Sequence, residues 1–67
     1  MPLTKLEEMK LRVYRQTFPS VTNAEQALSL AIRFEEMAQT AAQPDVFYGD
    51  AQRALSLAAL LEKMQQN

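Results

Sequence analysis

The sequence predicts an all-α fold. An antiparallel helical hairpin covers about residues 23–42 and 44–65, a shorter helix over about residues 5–17 packs on it, and a second copy of the chain completes the burial. Three observations carry this expectation. Ten alanines and nine leucines dominate the composition, and both are among the best helix formers. Apolar residues recur at helical spacing in three separate stretches. Capping signals and prolines punctuate those stretches at Thr4, Pro19, Thr22 and Pro44.

Size sharpens the expectation. Sixty-seven residues make one small domain, and a chain this short buries only about 60% of the surface that its unfolded form exposes. Such chains rely on disulfides, a metal, a partner subunit or very regular helix packing. The sequence has no Cys and no His. Disulfides are therefore excluded and a zinc site is poorly supplied, which leaves helix packing and self-association.

The first helix opens at a capping box, with Thr4 as N-cap and Glu7 three residues on. Leu6, Met9 and Val13 share one face, and Leu11, Tyr14 and Phe18 form a second stripe beside it. Lys5, Glu8, Arg12, Arg15 and Gln16 make the polar arc. Pro19 pushes Phe18 out of the helical region, so the helix stops near Gln16 or Thr17.

The second helix opens at Thr22 with Glu25, another capping box. Its stripe is Ala27, Ala31, Phe34, Ala38 and Ala41. The third begins at Pro44, where a missing N–H costs nothing, with Asp45 suited to the positive end of the helix dipole. Its stripe is Phe47, Ala51, Ala54, Ala58 and Leu61, and it keeps phase through Gly49. One helix to about Gln65 is expected, with Gly49 an interior glycine costing about 1 kcal/mol; the competing reading breaks the helix there. The tail Gln65-Gln66-Asn67 is expected to fray.

The two small-residue stripes face each other if the link at Ala42–Gln43 is tight, because short connections make neighbours antiparallel. The predicted seam is Ala27, Ala31, Phe34, Ala38, Phe47, Ala51, Ala54, Ala58 and Leu61. Leu28, Ile32 and Leu55 are expected to receive the first helix on one flank. Leu30, Met37, Val46, Leu57, Leu60 and Met64 are left on the other, as a dimer or partner interface. On this reading, changing Leu30 and Leu60 to Glu breaks association and leaves helicity intact.

Catalytic chemistry is poorly supplied. Without His or Cys, the commonest general base and the thiol nucleophile are missing. Ser20, Ser29 and Ser56 have no activating partner in sequence. The adjacent pairs Glu7-Glu8 and Glu35-Glu36 diverge by about 100° on a helix, and Asp45 and Asp50 do not share a face either. A single Gly excludes a phosphate-cradling loop. No catalytic, cofactor-binding or metal-ligating residue is assigned. Net charge is −1, unlike the basic footprint of a nucleic-acid binder. Residues 1–20 nevertheless balance to +2 and residues 21–67 to −3. The connection between the first two helices, which contains Phe18-Pro19-Ser20, is longer than the turn of a helix-turn-helix motif, and the face Glu25, Gln26, Ser29, Arg33, Glu36 is poor for phosphate contact. Met9, Met37 and Met64, with Tyr14, Phe18, Phe34, Phe47 and Tyr48, offer a soft groove for a partner helix; Phe34 and Phe47 are read as core, whereas Met37 goes with Leu30, Leu57 and Leu60 to the interface. MPLTKLEEMK has no apolar run of signal-peptide type, and the longest charge-free apolar run, Ala54 to Leu61, falls far short of the ~20 residues needed to cross a bilayer. A cytoplasmic protein without membrane contact is expected.

Two resemblances bear on function. The stretch from Thr22 to Gln66, on so short a chain, resembles in size and topology the small helical co-chaperones that hold type III secretion needle subunits. Pro2-Leu3-Thr4-Lys5 and Val46-Phe47-Tyr48 resemble fragments of the small enterobacterial nucleoid-modulating proteins related to haemolysin-expression modulators, although the intervening segment differs in length and lacks that family's charged pattern. Each implies a small helical protein acting through another protein. The expected function is therefore a non-enzymatic, homodimeric regulator, inhibitor or adaptor, of phage or mobile-element type among others, that covers a partner's apolar groove. The alternatives are a DNA-associated transcription modulator using the basic first helix, and a co-chaperone of a secretion-system subunit.

Overall fold

The computed structural model describes residues 2–65. Among them are three helices and no strand: α1 (Lys5–Thr17), α2 (Ala24–Thr40) and α3 (Pro44–Gln65). Gln66 and Asn67, most of the tail expected to fray, lie outside the described residues.

Local chemistry sets each boundary. At α1 the Glu7 N–H donates to Thr4 Oγ1 at 3.1 Å, and the Thr4 N–H donates back to Glu7 Oε1 at 3.0 Å. This reciprocal pair satisfies two donors that a helix start would otherwise leave free. At the other end Phe18 leaves the helix at φ −125°, ψ 69° while its N–H still donates to the Tyr14 carbonyl at 2.8 Å. Pro19 forbids the next turn.

The cap of α2 forms one residue later than Thr22 and Glu25 suggest. Asn23 is the N-cap, and its Oδ1 accepts from the Gln26 N–H at 2.8 Å. Gln26 Oε1 in turn accepts from the Thr22 N–H at 2.8 Å and from Thr22 Oγ1 at 2.9 Å. Asn caps at least as well as Thr, and Gln26 ties down two donors of Thr22 at once. Glu25 stays exposed in the first turn, where the helix dipole favours it. At its far end α2 stops at Thr40, and Ala41 is extended at φ −81°, ψ 149°. The chain thus leaves the helix before Ala42, because Pro44 disfavours helical geometry at Gln43 and the link needs residues to turn in.

Helix α3 runs unbroken through Gly49, which has no positive φ. A Cβ placed there meets Arg53 Nη1 at 3.3 Å. The Arg53 side chain is 51% exposed and held only by Asp50 Oδ1 at 2.9 Å, so its head can yield. Gly49→Ala is therefore expected to stabilise the protein by about 0.5–1 kcal/mol through helix propensity, read as a higher midpoint in urea. A lower midpoint would show that the guanidinium is fixed.

Helix α3 packs against α2 along most of its length and against α1 on another side. Ala27, Ala31 and Ala38 of α2 and Ala51, Ala54, Ala58 and Leu61 of α3 are buried, while Phe34 and Phe47 are half-buried. Small side chains let helix axes approach closely. Leu11 and Phe18 bring the α1 side into the same core, and the Phe18 and Phe34 rings meet at 5.9 Å between centroids. The molecule measures 40 × 20 × 18 Å with a radius of gyration of 12.4 Å, against about 11 Å for a spherical domain of this length. So thin a body leaves every helix with an outer face.

The flank that receives α1 is the opposite of the one expected. Leu57 is fully buried, Leu60 is buried, and Leu30 is half-buried and packed on the core. These three are not an open interface, and Leu60→Glu would force a charge into the core. Leu28, Ile32 and Leu55, expected beneath α1, are exposed instead. The physical reason lies in charge and in leucine density. Glu7 of α1 meets Lys63, which sits one turn beyond Leu60. On the other flank Glu7 would approach Glu62, which shares a face with Leu55 seven residues earlier. Leu57, Leu60 and Leu61 also offer three leucines within five positions.

Candidate protein-binding surface

Six of the ten exposed large apolar side chains among the described residues fall into two groups. On α1, Leu6, Met9 and Val13 follow at i, i+3 and i+7, so they line one face. That face turns away from the core because the buried stripe is the other one, Leu11 with half-buried Tyr14. On the α2–α3 pair, Leu28 and Ile32 lie one turn apart on α2, and Leu55 lies on α3 about 200° round the helix from buried Leu57. These six side chains are between 44% and 61% exposed. Of the residues assigned from sequence to an interface, Met37, Val46 and Met64 are exposed, at 43%, 56% and 40%. Tyr48 is exposed as well.

Charge is distributed unequally between the two places. Lys5, Lys10 and Arg12 border the α1 stripe at i+4, i−3 or i+3 positions and are exposed. Glu25, Glu35 and Glu36 flank Leu28 and Ile32, and Glu62 lies two turns along α3 from Leu55; all four are exposed. The first stripe thus has a basic rim and the second an acidic one.

Two ion pairs form among the described residues. Arg53 Nη1 meets Asp50 Oδ1 at 2.9 Å, one turn away on the same helix. Lys63 Nζ donates to both Glu7 oxygens at 2.9 Å and ties the start of α1 to the end of α3. The Glu7 carboxyl is held below its ordinary value, first by its hydrogen bond with the Thr4 backbone and then by Lys63. A carboxylate lowered on folding adds stability that is present above its unfolded value and lost as pH falls through its folded one. Glu7→Gln keeps the capping geometry and removes the ion pair. The variant is expected to melt below the wild type at neutral pH, with the gap closing as pH drops below the ordinary glutamate value of 4.5. A gap that persists in acid would place the effect in packing rather than charge.

An open depression of about 490 Å³ lies between the segment entering α2 and the outer side of that helix, lined by Ser20, Val21, Asn23, Glu25, Gln26, Ser29, Leu30 and Arg33. Its lining is mixed, with Glu25 and Ser29 one turn apart on α2. Among the described residues no group of three acidic side chains is placed to hold a metal ion, and no buried side-chain polar atom lacks a partner. No described helix is long and apolar enough to cross a membrane.

Sequence reasoning missed the Glu7–Lys63 pair, since Glu7 was already accounted for by its cap and 56 positions separate the two. The one available signal was the sign change at Glu62-Lys63, which sets opposite charges about 100° apart at the end of α3. Comparison with family models, with curated proteins and with solved structures gives no match.

Proposed function

We propose that the protein is a non-enzymatic protein-binding module that associates with itself and acts as a regulator, inhibitor or adaptor. Its scaffold is read as an antiparallel α2–α3 hairpin, since a three-residue link between two long packed helices leaves the chain no room for anything but reversal. The observation that carries the functional reading is the exposure of six large apolar side chains in two groups on so small a chain. Contiguous exposed apolar surface on a small protein usually marks an interaction site. The total accessible area of 4933 Å² also exceeds the roughly 4300 Å² expected for a folded monomer of this mass. The composition supports the non-enzymatic part, with no His, no Cys and a single Gly.

The reading is tested by mass in solution. Light scattering over increasing concentration is expected to pass from the 7.6 kDa chain toward twice that value or more, and the melting temperature is expected to rise with concentration, as linkage requires. A mass and a melting temperature independent of concentration would overturn self-association. A role on DNA draws on the basic rim of α1, but Leu6, Met9 and Val13 interrupt that rim and suit an apolar partner better than a phosphate backbone.

A further inference from the structure

We propose that the chain assembles head to tail, with the basic-rimmed stripe of α1 in one copy seated on the acid-rimmed face of α2 and α3 in the next. This rests on the self-association reading above and specifies which surfaces meet. The two groups match in kind: Leu6, Met9 and Val13 on one side, Leu28, Ile32 and Leu55 on the other.

Charge decides the partner. The pairs Glu7–Lys63 and Asp50–Arg53 are satisfied within the chain. Setting them aside, α1 keeps Lys5, Lys10, Arg12 and Arg15 against Glu8, a balance of +3. Helices α2 and α3 keep Arg33 against Glu25, Glu35, Glu36, Asp45 and Glu62, a balance of −4. A symmetric dimer through either surface would set like charges against each other, whereas joining the two different surfaces sets opposite charges together. Rim charges contribute little energy individually, but they steer encounter and suppress wrong pairings. The apolar groups supply the burial.

Geometry prevents a copy from satisfying itself. Helix α1 docks on the Leu57–Leu60 side of α3, and its own stripe turns outward from there, while Leu55 points to the far side of α3. Joining two different surfaces is heterologous, so the assembly closes into a ring or continues as a filament.

Complementing variants test this. Met9 and Ile32 are 59% and 57% exposed, so Met9→Asp and Ile32→Asp each spoil one surface while folding, which circular dichroism checks. Each variant alone is expected to be a monomer of 7.6 kDa. Their equimolar mixture is expected to form a two-chain complex and nothing larger, because one intact copy of each surface remains. Association lost in only one variant, retained in both, or not restored by mixing would overturn the head-to-tail arrangement while leaving self-association standing. A wild type that stays monomeric at all concentrations would overturn both. Met9→Asp releasing the protein from phosphatidylserine vesicles or from duplex DNA, with no change in mass, would reassign the α1 stripe and overturn the proposal.

Discussion

Leu57→Ala is expected to destabilise the protein by about 3–4 kcal/mol. Leu57 is the largest side chain with no exposed surface, and it belongs to one cluster with Leu11, Phe18, Ala27 and Ala31. Truncation leaves a void inside that cluster. The alanines around it cannot swing in to fill that void, so the cost lies well above bare transfer. A domain of this length holds only about 3–10 kcal/mol in total. The variant is therefore expected to be largely unfolded or close to it, read from a urea titration followed by circular dichroism. Were Leu57 an uncovered interface residue, the same change would cost the isolated chain less than about 0.5 kcal/mol. A loss that small would overturn the placement of α1.

Ala54→Leu is expected to cost about 3 kcal/mol by the opposite mechanism. Ala54 is fully buried, as is Ala27, and Ala31 and Ala58 are nearly so. Three added carbons have no void to enter, so α2 and α3 must move apart or side chains must leave their rotamers. Moving the helices apart also breaks contacts along the rest of the pair, which sets this site apart from an ordinary core position. Ala59→Leu on the exposed side of α3 adds the same atoms and is expected to change stability by under about 0.5 kcal/mol. Parallel melts of the two variants compare them directly, and similar midpoints would mean that the alanine rows are not tightly apposed.

The two outcomes bear on what was legible in the sequence. Helix boundaries were readable because caps and prolines act locally: Thr4 with Glu7 and Phe18 before Pro19 behave as their chemistry dictates. The cap of α2 slipped by one residue because two adequate caps, Thr22 and Asn23, stand side by side and the choice between them turns on the reach of Gln26. Periodicity placed the small residues on one row of each helix. It said nothing of the side from which α1 approaches, since leucines border the rows on both sides and a period records direction around one helix only. That choice belongs to tertiary packing and to a long-range ion pair. The error moved Leu57 and Leu60 from surface to core and exposed Leu28, Ile32 and Leu55 in their place.

The Lys63–Glu7 contact has a practical consequence. It brings the start of α1 and the end of α3 within reach of two side chains, at the pole opposite the Ala41–Gln43 link. The described chain therefore begins and finishes at one pole of a body 40 Å long. A donor dye near Leu3 and an acceptor near Met64 would lie close together when the chain is native and far apart when it is denatured, since an unfolded chain of this length expands to a radius of about 25 Å. The molecule thus carries the two attachment points of a distance ruler, and energy transfer between them would report the docking of α1.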